Sequence, residues 1–125
     1  MSGLTLVTGG AGFIGSHVVR ELLLDNRSVR VLIKPGEDTR NLRGLSIETV
    51  EGDLRSPEVV RSAVQGVDRV FHLAAVYALW TRTPGLMHAV NVEGTRNLLS
   101  ACHKSGVSRV VYTSSLAVFA DQSDH

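Results

Sequence analysis

The chain has 125 residues, 43% of them apolar, and 13 basic against 12 acidic side chains, a net charge of +1. That length makes one domain with a modest core, and interspersed charges with no basic run longer than a pair argue against nucleic acid as a partner. The lone Cys102 excludes an internal disulfide and a paired-cysteine zinc framework, and no apolar run approaches the roughly 18 residues of a membrane span, so a soluble, cytoplasmic setting is expected.

The first apolar run, Leu4 to Thr8, leads directly into Gly9-Gly10-Ala11-Gly12-Phe13-Ile14-Gly15 and then into a helical pattern over 13–25. A strand, a glycine turn and a helix in that order predict a dinucleotide phosphate site. Gly9 allows a tight turn, Gly12 lets backbone approach a pyrophosphate, and Gly15 lets the helix pack on the strand it left. Unpaired N–H groups and the positive end of the helix dipole would face the anion. Phe13, Ile14, Val18, Leu22 and Leu23 fall on one face of this helix, predicted to pack on the sheet.

Further strands are expected at 29–33, 47–51, 69–74 and 109–114, separated by helical or irregular segments. A short helix is expected around 39–43. Another, over 57–65, has Ser56 as N-cap, Pro57 at its first position, Glu58 near its positive end and Gly66 as its stop. A long helix over 84–105 sets Met87, Val90, Asn91, Gly94, Leu98 and Cys102 in one stripe and ends at Gly106, with Asn91 and Gly94 odd for a plain core face. Such alternation predicts an α/β fold with a doubly wound parallel sheet. If the first strand is central, the strand order is 3-2-1-4-5.

Several polar residues then fall at the carboxyl edge of that sheet. Lys34 stands where dinucleotide folds often carry an acid for the ribose hydroxyls. An ammonium cannot accept those bonds but suits an adenosine 2′-phosphate. The attraction is worth about 1 kcal/mol after exposure and salt are allowed for, so NADP is expected ahead of NAD. The alternative is that Lys34 solvates a strand end. Asp53 either accepts from an adenine amino group or caps the turn that follows it. Leu73, Ala74 and Ala75 offer small side chains over which a cofactor could lie, although small residues are also common in buried strands. Thr113, Ser114 and Ser115 place hydroxyls at the end of the fifth strand, either for a ligand's reacting end or for a turn. The five histidines lack ligand spacing and are read as packing or surface residues. Cys102 is read as a small buried hydrophobe, and Glu37, Asp38, Arg40 and Arg43 as solvated charges, with Arg40 a candidate aid to Lys34.

The glycine turn, Gly52-Asp53-Leu54, Phe71-His72-Leu73-Ala74-Ala75, Asn91-Val92-Glu93-Gly94-Thr95 and Val111-Tyr112-Thr113-Ser114-Ser115 together resemble the extended short-chain dehydrogenase/reductase family. The likeness is to its NAD(P)-dependent epimerase/dehydratase members, in particular dihydroflavonol-reductase-like proteins and hopanoid-associated sugar epimerases. It implies that Gly9, Gly12, Phe13 and Ile14 line the pyrophosphate, Asp53 and Leu54 the adenine, and Leu73, Ala74 and Ala75 the cofactor's middle. It also implies that Asn91 steadies the active-site face of its helix, that Thr113 lies near the nicotinamide, and that Ser115 is the catalytic serine, hydrogen-bonded to the substrate's reacting oxygen.

The family's acid/base pair, a tyrosine with a lysine four residues on, has no counterpart: Thr81 follows Tyr77 at that spacing and Leu116 follows Tyr112. Phe119 and Ala120 also replace a tyrosine and glycine often found after the serine strand. Residues 1–125 are therefore expected to be a Rossmann-type NAD(P)-binding domain, incomplete at its C-terminus and truncated before a substrate domain. The domain would be inactive and poorly stable alone, with a fifth strand that lacks its cover. The parent would be a homodimeric oxidoreductase or epimerase, moving hydride at a carbinol carbon of a small-molecule substrate. The competing reading is a non-catalytic dinucleotide-binding sensor or interaction module.

Overall fold

The computed structural model describes residues 3–74 and 89–113. Five parallel strands, β1 (Leu4–Thr8), β2 (Ser28–Ile33), β3 (Glu48–Glu51), β4 (Arg69–His72) and β5 (Arg109–Tyr112), form one sheet in the order β3-β2-β1-β4-β5. This is the predicted order. β1 is central and buried on both faces, which is why Leu4-Thr5-Leu6-Val7 reads as a continuous run and not as an alternation. Leu6 turns to one core with Leu32, Val60, Val70, Leu98 and Cys102. Val7 turns to the other, with Val19, Val29, Val31 and Leu42.

Helix α1 (Phe13–Leu24) and a single 3-10 turn (Arg40–Leu42) cover the second core, while α2 (Pro57–Ala63) and α3 (Thr95–Ser105) cover the first. The face that α1 lays on the sheet differs from the predicted stripe. Gly15, Ser16 and Val19 are buried, with Leu22 and Leu23 packed beside them, whereas Phe13 and Ile14 are 78% and 63% exposed. The glycine turn brings the start of α1 so close to β1 that only small side chains fit underneath. The two large ones are rotated outward.

α2 begins as predicted with Pro57 at its start, but the Ser56 side chain makes no capping hydrogen bond and the helix ends at Ala63, two residues short. The predicted 84–105 helix is α-helical only from Thr95, preceded by π-helical turns over Ala89–Gly94; its residues 84–88 lie outside the described ones. Gly94 owes its place to a close crossing, since a Cβ there would stand 2.9 Å from that of Leu54. Strands β4 and β5 stop at His72 and Tyr112, earlier than predicted.

At the amino-terminal edge of the sheet a polar clasp joins three strands. Arg27, 11% exposed at its side chain, donates to Thr5 Oγ1 at 2.6 Å and to both Asp68 carboxylate oxygens at 3.0 and 3.2 Å. The Asp68 carbonyl in turn accepts from the Ser108 backbone and hydroxyl.

Candidate functional site

A cavity of about 560 Å³ opens at the opposite, carboxyl edge of the sheet. Its floor is the turn between β1 and α1. Gly9 has φ +71, and a Cβ there would lie 2.7 Å from Ala74 N, so both the backbone conformation and the neighbouring strand require glycine. A Cβ at Gly15 would collide with the Gly9 carbonyl. Gly12 caps α1 without any side-chain hydrogen bond to the first turn. The opening N–H groups of that helix lack intrahelical acceptors, and they sit at the cavity wall formed by Gly12, Phe13, Ile14 and Gly15. An anion is what such a helix start accommodates best. The turn is held from behind by Asn41, whose Nδ2 donates to the Ala11 carbonyl at 2.9 Å.

Most of the remaining lining comes from the ends of the other strands: Lys34 and Glu37 after β2, Gly52 to Arg55 after β3, Leu73 and Ala74 after β4, and Thr113 after β5, with Val90 added from the π-helical turns. Asp53 is tightly held. Its Oδ1 accepts from the Arg55 backbone N–H at 2.8 Å and from Nε at 3.0 Å, and its Oδ2 accepts from Nη2 at 2.7 Å. The Arg55 guanidinium keeps the Asp53 carboxyl below the ordinary carboxylate range, and Lys34 adds to that effect. Leu54 is fixed by Asn97, which donates to its carbonyl at 3.0 Å.

Of the predicted site residues, Gly9, Gly12, Phe13, Ile14, Lys34, Asp53, Leu54, Leu73, Ala74 and Thr113 converge on this one cavity. Ala75 and Ser115, like Ser114, Tyr77 and Trp80, lie outside the described residues. Asn91 does not line the cavity; it borders a separate shallow groove with Val92, Thr95, Arg96, Leu99 and Ser100. Arg40 is likewise away from the cavity, paired with Asp38 at 2.7 Å, so it is no aid to Lys34 there.

Four residues of functional interest were missed by sequence reasoning. Glu37 lines the cavity and accepts, at 3.4 Å, from the Lys34 backbone N–H. Arg55 brings a second cation to the same end. Its spacing from Asp53 was the signal for that pairing. Thr8 and His72 form a buried pair, with Thr8 Oγ1 2.6 Å from His72 Nδ1 and His72 Nε2 2.8 Å from Thr95 Oγ1. Thr8 Oγ1 also accepts from the Leu73 and Ala74 N–H groups, each at 3.1 Å. His72 is 1% exposed and stacks on Tyr112, and burial pushes its imidazole down to about 4. It is a packing residue hydrogen-bonded at both ring nitrogens.

The sheet order and flanking helices are those of Rossmann-type short-chain dehydrogenase/reductase and epimerase structures. The chain superposes on the crystal structure of gox2253 with a TM-score of 0.87 at 42% identity, over 98% of this chain and 37% of that one. With the UDP-glucose 4-epimerase of Thermus thermophilus, solved in complex with NAD, the TM-score is 0.80 at 37% identity, over 90% of this chain and 37% of the other. In sequence it is 40% identical to a putative dihydroflavonol 4-reductase of Synechocystis over 99% of its own length and 36% of the relative's.

The profile of the 3-beta hydroxysteroid dehydrogenase/isomerase family matches residues 6–125, and the chain belongs to that family. It spans about a third of the length of the relatives it matches. Among the described residues no helix is long and apolar enough to cross a membrane.

Proposed function

We propose that this chain is the NAD(P)-binding portion of an oxidoreductase or epimerase that moves hydride at a carbinol carbon, and that it is catalytically inactive by itself. The observation that carries the reading is the uncapped start of α1, set at a cavity whose far end holds Lys34, Asp53 and Arg55. The cavity's volume is within the usual range for ligand sites, about 300 to 1,000 Å³. Its residues fit a dinucleotide: a floor that side chains would fill, helix N–H donors for a pyrophosphate, and a clamped carboxylate for an adenine amino group. Asp53 Oδ1 already accepts twice, so Oδ2 is the oxygen with room for that amino proton.

When bound, the nicotinamide supplies the hydride donor or acceptor. This chain's part is to orient it. Leu73 and Ala74 present a low floor, Thr113 stands at the reacting end, and Ser115, two positions further on, hydrogen-bonds the substrate's reacting oxygen. Proton exchange requires a tyrosine and lysine that these 125 residues do not contain at the needed spacing. In this reading residues 1–125 form a single, incomplete domain of a cytoplasmic, homodimeric parent.

NADP is the preferred cofactor on the strength of Lys34, with Arg55 as a second cation near the same end. NAD is the second reading. Glu37 favours it, because a carboxylate in the cavity beside Lys34 can accept from ribose hydroxyls. Titration of NADPH and NADH against the wild type, Lys34→Asp and Glu37→Gln separates the two. An NADPH preference that falls about tenfold in Lys34→Asp supports the first reading. Equal preference in wild type and Lys34→Asp removes Lys34 from the argument. Binding of neither nucleotide by the wild type overturns the cofactor reading and leaves a non-binding module of the same fold.

A further inference from the structure

We infer that His72 is a positioning residue, a hydrogen-bond relay with its proton on Nε2, which fixes the gap between the glycine turn and β4 and so sets dinucleotide affinity from outside the cavity. A count of donors and acceptors leads there. The Thr8 hydroxyl has one proton and two lone pairs. The Ala74 N–H donates to one lone pair at 3.1 Å, and the Leu73 N–H shares its single proton between the Thr8 hydroxyl and the Thr8 carbonyl, each at 3.1 Å. With both amides on its acceptor side, the hydroxyl is set to donate its proton to His72 Nδ1, 2.6 Å away, an arrangement in which that nitrogen is bare. The ring's proton is then on Nε2, donated to Thr95 Oγ1 at 2.8 Å.

The relay spans three elements. Thr8 is the last residue of β1 and leads into Gly9; Leu73 and Ala74 are cavity floor; Thr95 opens α3 and is not part of the cavity lining. Because Gly9 passes the Ala74 amide with no space for a Cβ, a small shift of Leu73 and Ala74 changes the room above the turn. The ring is sealed by burial and by Tyr112, with ring centroids 5.3 Å apart, which holds it in one orientation.

The affinity half of this inference rests on the dinucleotide reading, and the experiment keeps the two apart. Long-range proton–nitrogen correlation spectra of the 125-residue chain labelled at histidine should show His72 with Nε2 protonated and Nδ1 bare near neutral pH. An Nδ1-protonated or doubly protonated ring overturns the relay, whether or not any nucleotide binds. In parallel, Thr95→Val, read at a temperature where the protein is fully folded, should lose about tenfold in affinity for NADPH or NADH. Thr95→Ser should recover to within about twofold of wild type, a rescue that a purely volumetric role would not give. Unchanged affinity in Thr95→Val overturns the positioning role, while a wild type that binds neither nucleotide refutes the cofactor reading and with it the affinity claim.

Discussion

Two buried residues can share one cause of perturbation and still differ entirely in what acid does to them. Burial pushes the Cys102 thiol up to about 11 and the His72 imidazole down to about 4, in both cases because burial disfavours the charged form. For His72 the linkage has a definite sign. In the unfolded chain it titrates near its ordinary value, so below about pH 6.5 the unfolded state takes up a proton that the fold refuses. Stability is therefore intact above about pH 6.5 and declines as pH falls toward about 4, by about 3 kcal/mol in total. Urea unfolding near neutral pH and at about pH 4.5 should show this loss in the wild type and a flatter profile in His72→Gln. Parallel profiles would mean that the imidazole is not the titrating group. The lowered carboxyl of Asp53 acts in a different window, since its contribution is present above the ordinary aspartate value and is lost only in stronger acid.

At the scale of the element, the two glycines that flank Phe13 and Ile14 do separate jobs. Gly15→Ala places a methyl against the Gly9 carbonyl, and should destabilise the chain by about 2 kcal/mol despite alanine's better helix propensity. Gly12→Ala meets only Gly9 O, at 3.4 Å, so it should unfold like wild type and instead weaken nucleotide binding by crowding the cavity. Thermal melts and titrations of both variants test this split, and equal melting temperatures for the two would refute it.

The turn was legible in the sequence because it depends on local backbone freedom, which composition announces. The packing face of α1 was not. Phe13 and Ile14 are apolar and correctly spaced, but they stand at the cavity mouth, and periodicity cannot tell a residue facing a cavity from one facing a core. Glu37, Arg55 and His72 escaped for a related reason: each gains its meaning from a partner or a cavity assembled by chain crossings. Only the i, i+2 spacing of Asp53 and Arg55 was visible in advance.

For the molecule as a whole, topology followed from the alternation of apolar runs and helical segments, since each right-handed crossover leaves little choice of neighbour. β5 lies at one edge of that sheet, as β3 does at the other. Among the described residues it pairs with β4 alone, and Val111 and Tyr112 are 40% and 54% exposed. A strand of this kind is a template for pairing with another chain. Sedimentation velocity should show concentration-dependent association, and Val111→Lys should raise the monomer fraction. A wild type that stays monodisperse at high concentration and melts sharply would contradict that expectation.

The clasp of Arg27, Thr5 and Asp68 carries a consequence for how such a domain can change over generations. It fastens β1, β4 and the approach to β2 at the rim farthest from the cavity. The clasp and the cavity thereby lie at opposite poles of the same strands. Under the function proposed above, Lys34, Glu37 or Arg55 can be rewritten to suit a new ligand while the knot at the other pole keeps the sheet in register.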